Sequence, residues 1–181
     1  AILLPQDLIL RHRETIIPVS YTTFPERDFR DTFIAEGELY LTPQGIMAFP
    51  FSVDPLVMYW NRDMFTNAGL ATYPRTWSDI GVLTGILTTR DVSSNVLTSA
   101  VALGEFRNIN HAKEILSALI IQAGNPITTY TSEGAVDNLL ADRFSFATAP
   151  TETALSFYTK FSNPTDQVYS WNRALPASKA Y

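Results

Sequence analysis

The side chains in this sequence that could do chemistry are mainly carboxylates. Its two histidines, His12 and His111, lie far apart, and neither falls in a two-histidine metal-binding spacing. Cysteine is absent, which excludes disulfides, thiolate zinc sites, iron–sulfur clusters and cysteine nucleophiles. The glycines form no phosphate-binding loop and no serine-hydrolase elbow. We therefore predict a protein without metal, nucleotide or other cofactor.

A glycosidase uses two carboxyl groups for catalysis, and this sequence contains several carboxylates that could be considered for that role. The candidates are Glu36 with Glu38, Asp137 with Asp142, and Glu133. All of them lie in polar surroundings, whereas a catalytic acid needs an apolar pocket that raises its pKa. We therefore interpret these side chains as solvated surface residues rather than catalytic groups.

Asp54 differs from the other acids because apolar runs, 45–50 and 55–60, lie on both sides of it. A carboxylate in such a setting must find hydrogen-bond donors. The donors could be protein groups in a structural cap or the hydroxyls of a ligand. The residues alone leave both interpretations open.

The elements that must position these residues alternate between apolar runs and helices. The continuous runs 45–50 and 55–60 are typical of strands covered on both faces, and 95–103 is a third candidate strand. Helices are predicted where a capping residue, helical spacing of apolar residues and a glycine or proline stop occur together. They are expected over 5–13, 25–34, 61–69, 110–123 and 151–161, with a further helix that begins at Thr76. This alternation predicts an α/β fold.

The composition is that of a globular protein. Of its 181 residues, 46% are hydrophobic and 17% charged, too apolar for a disordered tail and too weakly charged for a coiled coil. The net charge of -5, without a basic stripe, argues against a nucleic-acid partner. No apolar stretch approaches the roughly 20 residues that span a bilayer, and no signal peptide opens the chain.

The stretch 45–80 contains a series of short motifs in a fixed order. They are an apolar run with Pro50, the acid Asp54, the Trp60-Asn61 pair, Ala68-Gly69, Pro74 and Thr76-Trp77-Ser78-Asp79. In this order they resemble the extracellular solute-binding proteins of bacterial ABC importers, family 1, the maltose-binding-protein-like sugar-binding group. Weaker matches at 102–104, 108–111, 119–124, 154–158 and 169–172 extend the resemblance over most of the chain from about residue 20. Trp60 departs from the pattern, in which a second tyrosine is commoner.

The resemblance implies a periplasmic-binding-protein-like fold of type II, in which two α/β lobes grip a ligand. Such proteins are longer than this chain, so the fold would be incompletely represented. Residues 1–53 would be the end portion of lobe one, 54–56 a hinge crossing and 57–181 most of lobe two. We then expect the chain by itself to be marginal or self-associating, with its first ~50 residues exchanging amide hydrogens fastest.

The function that the resemblance implies is the substrate-binding component of an ABC importer. Such a component binds a sugar or oligosaccharide between its lobes and delivers it to the permease subunits without making or breaking a bond, so it is not an enzyme. The implied location is extracellular or periplasmic, with membrane attachment only through a lipid anchor outside this segment. The alternatives are a glycan-active, glycosidase-like enzyme and a non-catalytic interaction domain.

The resemblance also suggests ligand-binding residues. Carboxylates and amides pair with sugar hydroxyls, and aromatic rings cover the C–H face of a sugar. An acid at the position of Asp54 contacts the sugar in the family, so Asp54 and nearby Ser52 are candidates. Asn108 and Asn110 lie in a loop before a helix, where such folds place ligand groups, with helix capping as the alternative. Trp171 is a candidate stacking platform, although a buried core tryptophan is the favoured interpretation.

Overall fold

The structure, a computed structural model, describes residues 2–130, 136–142 and 148–178. The chain divides into two compact units, an N-terminal unit of Ala1–Pro55 and a C-terminal unit of Leu56–Tyr181. The division falls within the segment 54–56. That this segment is a hinge between two lobes is still a prediction.

The N-terminal unit contains two short helices and a small hairpin. Helix α1 spans Gln6–Arg11 and α2 spans Glu26–Thr32, with single 3-10 segments at Arg13–Thr15 and Ala35–Tyr40. Strands β1 (Leu41–Thr42) and β2 (Gly45–Ile46) pair antiparallel. Val19 extends this pairing, because its N–H and C=O exchange hydrogen bonds of 2.8 Å with Ile46.

The core of the N-terminal unit is built mainly from aromatic rings. Phe29 and Ile46 are almost fully buried. The ring of Phe29 lies 4.8 Å from Phe33 and 5.9 Å from Phe49, and Phe24 meets Phe49 edge-on at 5.4 Å. Offset and edge-on arrangements of this kind add a specific attraction to the burial of apolar area.

The C-terminal unit contains four helices and two antiparallel strand pairs in its described residues. The helices are α3 (Arg62–Asn67), α4 (Trp77–Leu87), α5 (Ala112–Gln122) and α6 (Pro150–Lys160). The strands are β3 (Thr89–Arg90) with β4 (Val96–Thr98), and β5 (Thr128–Tyr130) with β6 (Val136–Asn138).

The helix starts predicted at Asn61 and Thr76 are confirmed. The Asn61 side-chain oxygen accepts hydrogen bonds from the N–H groups of Asp63 and Met64, at 3.0 and 3.2 Å. Thr76 and Asp79 form a capping box, in which each side chain accepts from the backbone of the other residue. These bonds satisfy N–H groups that the first helical turn leaves without partners.

Helices α5 and α6 provide much of the core of the C-terminal unit. Buried side chains from both helices pack with residues from the connecting segments: Leu103, Ile109, Ala112, Leu119, Ile120, Ala154, Tyr158, Phe161 and Trp171. The amphipathic helices predicted over 110–123 and 151–161 are therefore confirmed, with ends shifted by one or two residues.

The strands predicted from the apolar runs are wrong or much shorter than expected. Of the run 45–50, only Gly45–Ile46 is a strand, and of 95–103 only Val96–Thr98. Residues 55–60 form neither strand nor helix. A strand needs hydrogen bonds from a neighbouring strand, and an apolar run does not supply that neighbour. All strand pairs among the described residues are antiparallel, so the parallel sheet expected of a two-lobe α/β fold is not found there.

Candidate functional site

Ser52 and Asp54 lie in an exposed segment, 51–60, that has no regular secondary structure. Neither side chain makes a hydrogen bond or ion pair with any residue that the structure describes. The structural-cap interpretation of Asp54 therefore finds no support in the described chain. Its carboxylate is available to water or to the hydroxyls of a ligand.

The side chain of Asn108 bonds the protein's own backbone, so its amide donors are not free for a ligand. Its side-chain amide donates to the carbonyl oxygens of Asn172 and Leu175, at 2.9 and 3.0 Å. Both amide hydrogens are therefore used, and its Oδ1 atom is buried. The ligand-donor role predicted for Asn108 is not available in this structure. Its structural partners lie 64 and 67 positions along the chain, which sequence spacing did not reveal.

Asn110 differs from Asn108, because its side chain is exposed. Its backbone N–H donates to the Ser178 hydroxyl oxygen at 2.8 Å, and its side-chain amide has no partner among the described residues. The residue that precedes α5 is His111, so Asn110 does not cap that helix by the side-chain bond that was its alternative role. Of the two asparagines, only Asn110 presents a free amide.

Trp171 belongs to the core of the C-terminal unit. Its side chain is only 2% exposed and packs in the cluster formed with α5 and α6. A sugar stacks on an open aromatic face, and a ring buried to this extent offers none. The candidate stacking role of Trp171 is therefore not supported, and the favoured interpretation of Trp171 as a buried core tryptophan agrees with the structure.

The loop 104–111, which presents Asn110, is held by several side chains. The Tyr158 hydroxyl donates to the Glu105 carbonyl oxygen at 2.7 Å, and the Ser162 hydroxyl donates to the Gly104 carbonyl oxygen at 3.0 Å. Arg173 bonds the Glu105 carboxylate at 2.9 Å. Burial raises the pKa of the Tyr158 hydroxyl to about 12, so it remains a hydrogen-bond donor at neutral pH. The loop is thus a fixed scaffold for Asn110.

A surface cleft of about 360 Å³ lies in the C-terminal unit, where the sequence suggested no site. Trp60, Arg62, Phe65 and Thr66 line it together with residues 69–71. The Trp60 ring meets Phe65 edge-on at 5.0 Å and is 38% exposed. An open aromatic ring beside a guanidinium and a hydroxyl can cover an apolar face and bond polar groups. In the sequence, Trp60 stands out only as a departure from the family pattern, and its place two positions before Arg62 is the local signal that could have indicated this cleft.

The carboxylates considered for acid–base catalysis are exposed wherever the structure describes them. Glu38 forms an ion pair with Arg30, Asp137 and Asp142 are exposed, and Glu133 lies outside the described residues. Three other carboxyl groups, at Asp79, Asp91 and Glu114, have lowered pKa values because hydrogen-bond donors stabilise their charged forms. A general acid requires the opposite shift. Within the described ranges no group of three or more His, Cys, Asp or Glu side chains could hold a metal ion.

Comparison with known proteins gave no similarity to report, since no family model, no curated protein and no solved structure matched this chain. The family suggested by the motifs in 45–80 therefore remains a prediction. Among the described residues, every helix is too short or too polar to cross a bilayer.

Proposed function

We propose that this chain is part of the substrate-binding component of a bacterial ABC importer. It binds a sugar or oligosaccharide on the outer side of the membrane, extracellular or periplasmic, and delivers it to the permease subunits. The proposal is supported by the ordered motifs in 45–80, which include two local structures that the chain forms, the Asn61 cap and the Thr76–Asp79 capping box. A lipid anchor outside this segment would hold the protein at the membrane.

The observation that carries the proposal is the exposed Asp54 carboxylate without a protein partner among the described residues. A carboxylate accepts two hydrogen bonds from neighbouring hydroxyls, an arrangement that a sugar ring provides. Ser52, also exposed and without a described partner, adds a hydroxyl two positions earlier. A carboxylate already paired with an arginine would have been unable to bind in this way.

In the C-terminal unit, Asn110 and Trp60 are the side chains best suited to a sugar. Asn110 offers both amide donors and its acceptor oxygen, and Trp60 offers a partly open ring beside Arg62. We assign the stacking role to Trp60 rather than to Trp171, because the Trp171 ring is buried. The two residues make separable contributions, since an amide bonds hydroxyls and an aromatic ring covers C–H groups.

Thermal-shift screening of the chain against a panel of mono- and oligosaccharides, followed by calorimetry, tests this function. Asp54→Asn should weaken binding by about 1.5–3 kcal/mol, or about 10- to 150-fold, because it removes a charged acceptor. Asp142→Asn changes another exposed carboxylate in the same way and should leave the affinity unchanged. Failure of every sugar to bind would contradict the proposed function, and equal affinity of Asp54→Asn would contradict the role of Asp54.

The glycosidase alternative is separated from binding by the fate of the ligand. We expect a labelled oligosaccharide to keep its chain length after prolonged incubation with the protein. Shortened products in the wild-type reaction, and not in a reaction without protein, would identify a glycan-active enzyme instead.

A further inference from the structure

The cleft beside Trp60 is positively charged, although acidic residues outnumber basic ones in the chain by 18 to 13. Of the described residues that line the cleft, Arg62 is the only one with a charged side chain. The neighbouring acid, Asp63, is not part of the lining. Adjacent positions on a helix face different ways, so α3 presents its cation, and not this acid, to the cleft.

The guanidinium of Arg62 is free to bind a ligand. Arg62 is exposed, and its side chain forms no hydrogen bond or ion pair with any residue that the structure describes. Arg27, Arg30 and Arg173, by contrast, each pair with a carboxylate of the chain. A guanidinium presents a planar fork of N–H donors that matches the oxygens of a carboxylate or a phosphate. Arg62 is therefore an anion-binding group to which the described chain supplies no anion.

Two further polar groups of the lining suit an anion that also carries hydroxyls. The backbone N–H of Ala71 bonds no group that the structure describes, so it is a second donor at the cleft. The Thr66 hydroxyl donates to the Arg62 carbonyl oxygen at 2.9 Å. Because its hydrogen is used in that bond, the Thr66 oxygen is left to accept a hydrogen bond from a ligand hydroxyl.

The aromatic wall of the cleft is held in place by other rings. Phe65 is buried and meets the Trp60 ring edge-on at 5.0 Å, and the Tyr73 ring lies 5.9 Å from Trp60. A ring fixed in this way loses little freedom when a ligand covers it. A sugar ring seated on Trp60 then shares its cleft with the Arg62 guanidinium.

A second cleft, of about 330 Å³, adjoins the first, because Leu70 lines both. It again combines an open ring with a guanidinium, since the carbon atom of the Arg75 guanidinium lies 5.9 Å from the centre of the Tyr73 ring. Here, however, Asp79 is also part of the lining. Hydrogen bonds from backbone N–H groups lower the pKa of Asp79, so its negative charge offsets that of Arg75. The second cleft therefore suits a neutral sugar unit, and the first cleft suits a charged one.

On the basis of the sugar-binding function proposed above, we propose that the ligand is an acidic sugar or oligosaccharide. Its carboxylate or phosphate group binds Arg62 while the sugar ring that carries this group covers Trp60. In an oligosaccharide, the neighbouring neutral unit occupies the cleft at Tyr73. Both clefts lie within the range of about 300–1,000 Å³ that is usual for small-molecule sites.

Calorimetry with matched ligands tests the charge of the sugar. For glucose, galactose and mannose, the uronic acid and the sugar phosphate are each compared with the neutral sugar, alone and joined to a neutral second unit. We expect an acidic form to bind about tenfold or more tightly than its neutral counterpart, because it alone adds a charge-assisted pair. The uronic acids and the phosphates distinguish the two sources of charge. Added salt should weaken the binding of the acidic form selectively, since salt screens the pair.

Substitution of Arg62 tests where the charged group binds. Arg62→Gln should weaken the binding of the acidic sugar about 10- to 150-fold, and that of the neutral sugar by a clearly smaller factor. Arg62→Lys keeps the charge but loses the planar fork, so its affinity should lie between those of the wild type and Arg62→Gln. Arg27→Gln is the matched control, because its side chain is 90% exposed and belongs to the N-terminal unit, and it should bind as the wild type does. Thermal unfolding of each variant without ligand should match the wild type, which separates weaker binding from unfolding.

The possible results distinguish the charge of the ligand from the proposed function itself. If neutral sugars bind and their acidic forms bind no more tightly, sugar binding stands and the acidic ligand is overturned. If Arg62→Gln leaves the affinity for the acidic sugar unchanged, or weakens acidic and neutral sugars equally, the role of Arg62 is overturned. If no sugar binds in any form, both proposals are overturned.

Discussion

At the scale of single residues, the buried Tyr158 hydroxyl links the stability of the C-terminal unit to pH. Its pKa is raised to about 12 by burial. A pKa that is raised in the folded state stabilises the fold as long as the hydroxyl keeps its proton. This stabilisation is fully present below the pKa of the unfolded state, near 10, and is lost as the pH rises from about 10 to 12. We expect urea unfolding to show a loss of about 2–3 kcal/mol across this interval.

Tyr158→Phe should remove most of that pH dependence, while lowering stability at pH 8 by about 1 kcal/mol because the bond to the Glu105 carbonyl is lost. Tyr73→Phe, at a half-exposed ring, is the control and should retain the wild-type profile. A Tyr158→Phe profile as steep as the wild type above pH 10 would assign the alkaline loss to other groups.

Single residues also show which local roles a sequence can reveal. The caps at Asn61 and Thr76 were predictable because their bonding partners lie two or three positions away. The role of Asn108 was not, because its acceptors belong to residues 172 and 175. The residue type of Asn108 suggested hydrogen bonding, but only the fold determines whether the partner is a ligand or the chain itself.

At the scale of elements, helices were more predictable than strands. A helix satisfies its own backbone, so caps and a 3.6-residue period define α5 and α6 from local sequence. A strand depends on partners elsewhere in the chain, and the apolar run 55–60 has none among the described residues. The burial of 45–46 and the exposure of 56–60 therefore could not be distinguished by hydrophobicity alone.

Loop 104–111 approaches the chain closely at Ser162, just after α6, and this contact can be tested by substitution at Gly104. Gly104 has a φ of +94°, and a Cβ atom there would lie 2.5 Å from the Ser162 backbone nitrogen. Gly104→Ala therefore meets both backbone strain and a clash with main-chain atoms, which cannot rotate away. We expect a loss of unfolding free energy larger than the 1–2 kcal/mol or so of strain alone.

Gly124→Ala supplies the matched control for that measurement. Gly124 has nearly the same φ, +92°, but its added Cβ would meet no atom within 4 Å. Urea unfolding of the two variants should show a clearly smaller loss for Gly124→Ala. Equal losses would mean that the close approach at Ser162 relaxes freely and that Gly104 matters only for its backbone conformation.

At the scale of the whole molecule, the two units have their own buried cores of unequal size. The described part of the N-terminal unit buries three hydrophobic side chains almost completely, namely Ile9, Phe29 and Ile46. The C-terminal unit buries a larger cluster around α5 and α6. A domain of 55 residues buries a smaller fraction of its surface than a larger one, so its stability is correspondingly low.

Hydrogen exchange should show this difference directly. The amides of Val19 and Ile46, bonded to each other's carbonyls, should exchange faster than amides within α5, because opening the smaller core costs less free energy.

Phe29→Ala removes a fully buried ring, a change that typically costs about 3–5 kcal/mol and is enough to unfold a marginal unit. The variant should bring Val19 and Ile46 close to unprotected exchange while α5 keeps its protection. Phe161→Ala, equally buried in the other core, should speed exchange in α5. If Phe29→Ala accelerated exchange in α5 as much as at Ile46, the two units would unfold together, and the chain would behave as one cooperative body.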